Sequence, residues 1–360
     1  MTSHVLVNER PRYVFGWMFG RRYDVLFYFL PLLFGIACFL MARFSPLSTS
    51  GFFVLILLDA LGAGPFHWGP SWYAYWDKKN RDYWKSSRTK QAVFFAGPAL
   101  VMAFAIACSF ISPWLIAVVS MLWAVQHLVQ QNVGILLLYH NQNSGEAIVD
   151  RVSEVRSQHA PAFLFMSIFF WRVLLKQPDG AIYGVIGFFL LAWTLWAVGS
   201  YLYKLRRLVL DGACLNVPAF VFWLMSVVAI APVAFLGKNF GDGFVIPVTI
   251  HWFQYIGLNY MLIKYKYGPG EPQVADLPKV APVPLFICTC AVWVVAIYVV
   301  HWLLAYNVLN PVAATFAAGL YIGLADIHYL QDAFLWRFRE PHVRQATLPF
   351  LLRARQAARS

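Results

Sequence analysis

Ten apolar runs, at roughly 25–43, 50–67, 91–111, 114–139, 160–175, 180–201, 216–236, 243–263, 284–305 and 310–334, occupy most of this chain. A run of about 20 apolar residues is the length a helix needs to cross the hydrocarbon core of a bilayer. Inside that core every backbone N–H and C=O must be satisfied within the segment, which leaves helices as the available structure. The expectation is an all-α fold: a polytopic transmembrane helical bundle of about ten spans, forming one integral membrane domain over residues 1–360. The run at 160–175 is short and suits a tilted span or a re-entrant segment. Composition agrees, because 60% of residues are hydrophobic and 12% are charged, where a soluble domain carries about a quarter charged. Aromatic residues make up 18%, with 15 tryptophans, as two interfacial belts require.

The charges orient the bundle. With the N-terminus inside, the cytoplasmic segments hold all 28 lysines and arginines except Arg43, Arg172, Lys176 and Lys238. This bias alternates through every loop, as the positive-inside rule demands, and places both termini in the cytoplasm. The net charge of +12 therefore reads as a membrane face and not as a nucleic-acid surface. An N-terminal tail (1–24) and a basic C-terminal tail (338–360) flank the bundle. A segment at 68–90 interleaves Trp72, Tyr73, Tyr75, Trp76, Tyr83 and Trp84 with basic residues, the composition of a cytoplasmic loop lying among lipid headgroups. Val25 to Met41 is followed by no small-x-small cleavage site and reads as a retained first span. The five cysteines are scattered over apolar segments and form neither a disulfide framework nor a zinc motif. Localisation in an integral membrane, the bacterial inner membrane, follows from these features.

Ionisable residues within a span are costly unless paired, hydrated or bound. The chain places Asp59 and His67 in the second run, His127 with Gln131 in the fourth, His251, Tyr255 and Asn259 in the eighth, and Asp326, His328 and Asp332 in the tenth. Residues four apart share one helix face. His127 and Gln131, His251 and Tyr255, and His328 and Asp332 therefore form polar stripes, expected to converge on one internal cavity opening to the cytoplasm. At about 1.5 Å per residue, Asp59, His127 and His251 lie near the midplane. By the same measure His67, Gln131, Asn259, Asp326 and His328 lie roughly 7–12 Å toward the cytoplasm. Imidazoles with a carboxylate suit iron, zinc or copper, and a non-haem iron centre needs two or three histidines and a carboxylate. The candidate metal ligands are His67, His127, His251, His328 and Asp332. Asp59, Gln131, Tyr255, Asn259 and Asp326 are candidates for orienting ligands or substrate. His140, His159, His301 and His342 are expected to stand outside the site. A histidine can also simply hydrogen-bond a neighbouring helix and glue the bundle.

Pro65-Phe66-His67-Trp68-Gly69 and Ile327-His328-Tyr329-Leu330-Gln331-Asp332 resemble the His-then-Asp segments of the Brp/Blh family, bacterial membrane proteins that cleave β-carotene to retinal. His251 sits where that family also carries histidine, although the family's paired histidines appear here as His251-Trp252-Phe253-Gln254-Tyr255, with one. The segments Gln126–Gly134 and His328–Arg337 also resemble uncharacterised bacterial polytopic membrane proteins. The resemblance implies iron-dependent oxidation chemistry. The expected function is a membrane metal-dependent oxidoreductase or oxygenase. It would hold one or two iron ions, or another first-row metal, and act on a lipid, carotenoid or other isoprenoid drawn from the bilayer, with an electron donor as partner. The alternatives are a proton-coupled transporter using Asp59, Asp326 and the histidines, a non-redox lipid-modifying enzyme, and a scaffold subunit. An inverted repeat, which many transporters carry, is not seen in the sequence.

Overall fold

The computed structural model describes residues 13–44, 63–140, 145–176, 181–238, 244–268 and 310–357, with a few positions between 286 and 299. The described chain is all-α apart from one two-residue parallel strand pair, β1 (Tyr13–Val14) with β2 (Leu215–Asn216). Its helices are α1 (Leu30–Phe44), α2 (Ala63–Trp76), α3 (Lys78–Lys85), α4 (Gly97–Ile111), α5 (Pro113–His140), α6 (Arg151–Phe169), α7 (Ala181–Leu210), α8 (Val217–Val228), α9 (Ala231–Leu236), α10 (Val245–Lys266), α11 (Pro311–Leu335) and α12 (Pro341–Ala357). Helical turns Arg21–Asp24 and Val25–Phe29 lead into α1, and Arg88–Gln91 and Ala92–Ala96 lead into α4.

Among the described residues, five helices are long and apolar enough to cross a membrane: Arg21–Met41, Arg88–Ile111, Pro113–His140, Ile182–Leu210 and Pro311–Leu335. They answer to the first, third, fourth, sixth and tenth apolar runs. The fifth, seventh and eighth runs are helical too, as α6, α8 with α9, and α10. Helix α6 carries buried polar groups, Glu154, Ser157 and Gln158, that lower its apolarity, and the seventh run is divided into two short helices by a turn at Ala229–Ile230. Most of the second and ninth runs lies outside the described residues. Residues 68–90 are helical for most of their length and not a loop: α2 continues to Trp76 and α3 follows directly. Asp77 stops one helix and starts the next, its carboxylate accepting from the Lys79 N–H at 2.9 Å as an N-cap.

The helices cluster as two compact units that interleave along the sequence. One comprises residues 1–21 and 129–243. In it α6 packs against α7, α8 and α9. Its polar groups pair locally. His140 meets Glu154 at 2.6 Å, Lys204 meets Asp150 at 2.6 Å, and the Trp223 indole donates to Ser157 at 2.8 Å. The Lys204 ammonium, with the Ser153 N–H and hydroxyl, holds the Asp150 carboxyl well below the usual carboxylate range.

The other unit, residues 22–128 and 244–360, carries the candidate site. Helix α10 packs against α1, α2 and α12, and α11 packs against α4 and α2. Close packing of α11 on α4 depends on Gly319 and Gly323. A Cβ at Gly319 would stand 2.8 Å from the Ile106 Cα, and one at Gly323 would stand 2.6 Å from the Met102 sulfur. Small residues four apart let two membrane helices approach backbone to backbone. The register descends on α4 as it rises on α11, since Gly97 faces Leu330, so these two helices run antiparallel. Helix α10 is likewise antiparallel to α1: Gly35 faces Ile246 and Thr249, whereas Phe27 faces Gly257.

Candidate metal centre

Three helices each contribute a pair of polar residues one turn apart, and the pairs assemble in two layers. The first layer is imidazole. The His67 ring on α2 lies 4.7 Å from that of His328 on α11 and 4.9 Å from that of His251 on α10, centroid to centroid. The His127 ring on α5 lies 4.7 Å from His251 and 5.1 Å from His328. All four histidines are buried. The second layer is Ser71, Tyr255 and Asp332, each four residues after a histidine. The Tyr255 hydroxyl donates to Asp332 Oδ1 at 2.6 Å. Ser71 Oγ lies 2.9 Å from the Tyr255 hydroxyl and 2.9 Å from His328 Nδ1. Because both layers are matched on α2, α10 and α11, those three helices run in the same sense.

Ring nitrogens of His67, His251 and His328 lie within 4.8 Å of one another, as do donor atoms of His127, His328 and Asp332. Nε2 of His127 and His251 are 3.2 Å apart. Asp332 Oδ2 stands 3.8 Å from His127 Nε2 and 3.7 Å from His328 Nε2. Ligands bonded to one ion at about 2.0–2.2 Å are separated by roughly 3–4.4 Å. The described edges fall in that range or within a few tenths of an ångström of it. Among the described residues His328 Nε2 has no hydrogen-bond partner, an expense for a buried polar atom that a metal ion would remove. Aromatic rings close the surroundings, with Trp252 5.9 Å from His67 and Tyr329 4.7 Å from His127.

Of the remaining sequence candidates, one joins the site. Tyr255 is in the second layer. Asn259, one turn further, donates to the Tyr255 carbonyl at 2.9 Å. Asp326 accepts from Ser120 at 2.8 Å; two residues from His328, it lies on another face of α11, because each residue turns a helix by about 100°. Gln131 falls in the other unit, and Asp59 lies outside the described residues. His140 pairs with Glu154, His159 bonds the Val155 carbonyl of its own helix, and His342 bonds Asn80, while His301 lies outside the described residues. Ser71 is the residue that sequence reading missed. Its one signal is its place four residues after His67. Pro70 precedes it inside α2 and has no N–H to offer the Phe66 carbonyl.

A cleft enclosing about 610 Å³, open solvent included, touches the second layer at Ser71 and Tyr255. It follows α10 from Tyr255 past Asn259 to Lys266, about 16 Å along the helix axis. Trp84, Phe94, Phe334 and Trp336 wall it, and Asn80 and His342 join Lys266 on its lining. The Lys266 ammonium is buried and paired with Asp77 at 2.7 Å. Burial lowers its pKa below the ordinary lysine value, and the Asp77 charge opposes that shift.

Fold and site together define an all-α chain with helices able to cross a membrane and a buried histidine–aspartate cluster able to hold a metal. The chain matches no protein-family model, no curated protein and no solved structure.

Proposed function

We propose that this protein is a membrane-embedded, metal-dependent oxidoreductase, with a non-haem iron centre held by His67, His127, His251, His328 and Asp332. The observation that supports it best is the convergence of four buried imidazoles and a carboxylate from four helices. Ligand sets of histidines plus one carboxylate with open positions suit iron(II), and one or two ions fit the two overlapping groups that share His328. Bound iron would supply oxidation chemistry with dioxygen. The chain's own part is to aim the imidazoles, to hold Asp332 through the Tyr255 hydroxyl, and to exclude bulk water with Trp252 and Tyr329. An apolar substrate, a lipid or isoprenoid, reaches such a site from the surrounding bilayer. The resemblance of the His67 and His328 segments to carotene-cleaving membrane proteins points the same way. An external electron donor belongs to this reading.

The ten-span arrangement, with both termini on the cytoplasmic side of a bacterial inner membrane, belongs to the same proposal. Helix directions support it. Parallel α10 and α11 are what two even-numbered spans, the eighth and the tenth, require. Helices α1 and α4, antiparallel to α10 and α11 respectively, fit odd-numbered spans, and α2, α10 and α11 fit even-numbered ones.

Metal analysis of detergent-purified protein tests the centre. Iron or another first-row metal is expected at one or two ions per chain, and lost in His328→Ala and Asp332→Ala variants that still unfold cooperatively. Wild-type protein that takes up no metal when offered iron(II) refutes the reading and favours proton transfer or simple helix–helix hydrogen bonding.

A further inference from the structure

The second layer of the site holds more hydrogen-bonding contacts than it has hydrogens, and that count decides which nitrogen of His328 carries a proton. Ser71 Oγ has three neighbours: His328 Nδ1 at 2.9 Å, the Tyr255 oxygen at 2.9 Å and Asp332 Oδ1 at 3.5 Å. Tyr255 has Ser71 and, at 2.6 Å, Asp332 Oδ1. Ser71, Tyr255, His328 and Asp332 are all buried. Each hydroxyl owns one hydrogen, and an ionised carboxylate only accepts.

The assignment follows by elimination. The shortest contact, to a carboxylate oxygen, takes the Tyr255 hydrogen. The Tyr255 oxygen can then only accept from Ser71, which takes the Ser71 hydrogen. With Asp332 ionised, as a metal ligand has to be, Ser71 has only lone pairs left for His328 Nδ1, so that nitrogen carries a hydrogen. The chain reads His328 Nδ1–H to Ser71 O–H to Tyr255 O–H to Asp332 Oδ1. A neutral imidazole protonated at Nδ1 keeps its lone pair on Nε2. Nε2 is the atom of His328 that faces Asp332 Oδ2 at 3.7 Å. The opposite polarity needs a proton on Asp332 and puts an N–H on His328 where a ligand lone pair is required.

We propose that Ser71 is a positioning residue of the metal centre: it fixes the tautomer of His328 and couples that ring to Asp332 through Tyr255. The inference rests on the metal reading above and gives it a polarity. A metal-ligating histidine generally donates its other N–H to an oyxgen-bearing partner, and loss of such a partner typically costs about 10–100-fold in metal affinity. Here the partner is a serine hydroxyl that relays to a second ligand, so one substitution loosens two ligands.

Cobalt(II) titration of the purified full-length protein, followed by its visible absorption, provides the test. Ser71→Ala should bind cobalt about 10–100-fold more weakly, with a changed spectrum, and Ser71→Thr, which keeps a hydroxyl, should recover most of the affinity. Tyr255→Phe keeps the ring and removes the middle hydroxyl, and should weaken binding in the same range. Nitrogen-15 spectra of histidine-labelled wild type loaded with diamagnetic zinc(II) should show His328 protonated at Nδ1 and bound through Nε2. Wild type that binds cobalt while Ser71→Ala and Tyr255→Phe bind it equally tightly, with unchanged spectra, overturns the role of Ser71 and leaves the metal centre standing. An Nε2–H tautomer of His328 in the wild type also overturns it, whatever the variants do. Wild type that binds no first-row metal removes both this inference and the reading beneath it.

Discussion

The Nε2 atoms of His127 and His251 lie 3.2 Å apart, although 124 residues separate them in sequence. Two neutral imidazoles at that distance share one hydrogen, or one ion bonded to both. These outcomes differ in what happens when either ring is removed.

If an ion is shared, His127→Ala and His251→Ala should each lower metal affinity by more than the roughly 10–100-fold that an outer partner costs. His159→Ala and His342→Ala should leave metal content unchanged, because those rings bond Val155 and Asn80 instead. Elemental analysis of the four purified variants checks this. Equal metal in all of them would leave the His127–His251 contact as a plain hydrogen bond.

Topology is testable from the helix directions. Ser87, exposed between α3 and α4, and the C-terminus should face the cytoplasm, and Ser112, between α4 and α5, should face the other side. Cysteine substitutions at 87 and 112, probed with a membrane-impermeant thiol reagent on intact cells, should label only at 112. Labelling at 87 would overturn the inside assignment of that segment.

The α4–α11 contact should discriminate between two glycines that look alike in sequence. A methyl group at Gly319 meets the Ile106 backbone, which cannot yield, whereas one at Gly323 meets the flexible Met102 side chain. Gly319→Ala should destabilise by about 1–3 kcal/mol, the usual cost of overpacking, and Gly323→Ala by less. Thermal unfolding in detergent would rank them; equal midpoints would mean the helices can separate freely.

Asp77→Ala should leave the Lys266 ammonium buried without its carboxylate, which typically costs about 3–5 kcal/mol. The penalty has a pH signature. Burial already lowers the Lys266 pKa, and Asp77 is the main group opposing that shift. Without Asp77 the folded state releases the lysine proton at still lower pH, while the unfolded chain keeps it up to about pH 10.4. The unfolded state then binds more protons, so stability of the variant should rise with pH across that window. Denaturant midpoints that stay flat from pH 7 to 10 would show that Lys266 reaches water when Asp77 is gone.

Sequence alone determined the all-α class, because apolar runs of this length in so weakly charged a chain leave the backbone no other way to satisfy itself in hydrocarbon. It also determined which polar residues share a helix face, since the pairs His251–Tyr255 and His328–Asp332 follow from 3.6 residues per turn. Tertiary structure decided the rest. Only packing shows that the stripes on α2, α10 and α11 stand level with one another, for depth along a helix depends on tilt and on boundaries that hydropathy blurs. Helix α2 illustrates this: it runs on to Trp76, so His67 lies inside a helix and not at its end. Ser71 was invisible because a serine in a membrane helix is cheap and common, and it gains meaning only from the His328, Tyr255 and Asp332 atoms around it. Asp326 was the converse, conspicuous by its charge yet turned toward Ser120. A side chain's type is written in the sequence; the neighbours that give it a chemical role are brought there by contacts between helices more than a hundred residues apart.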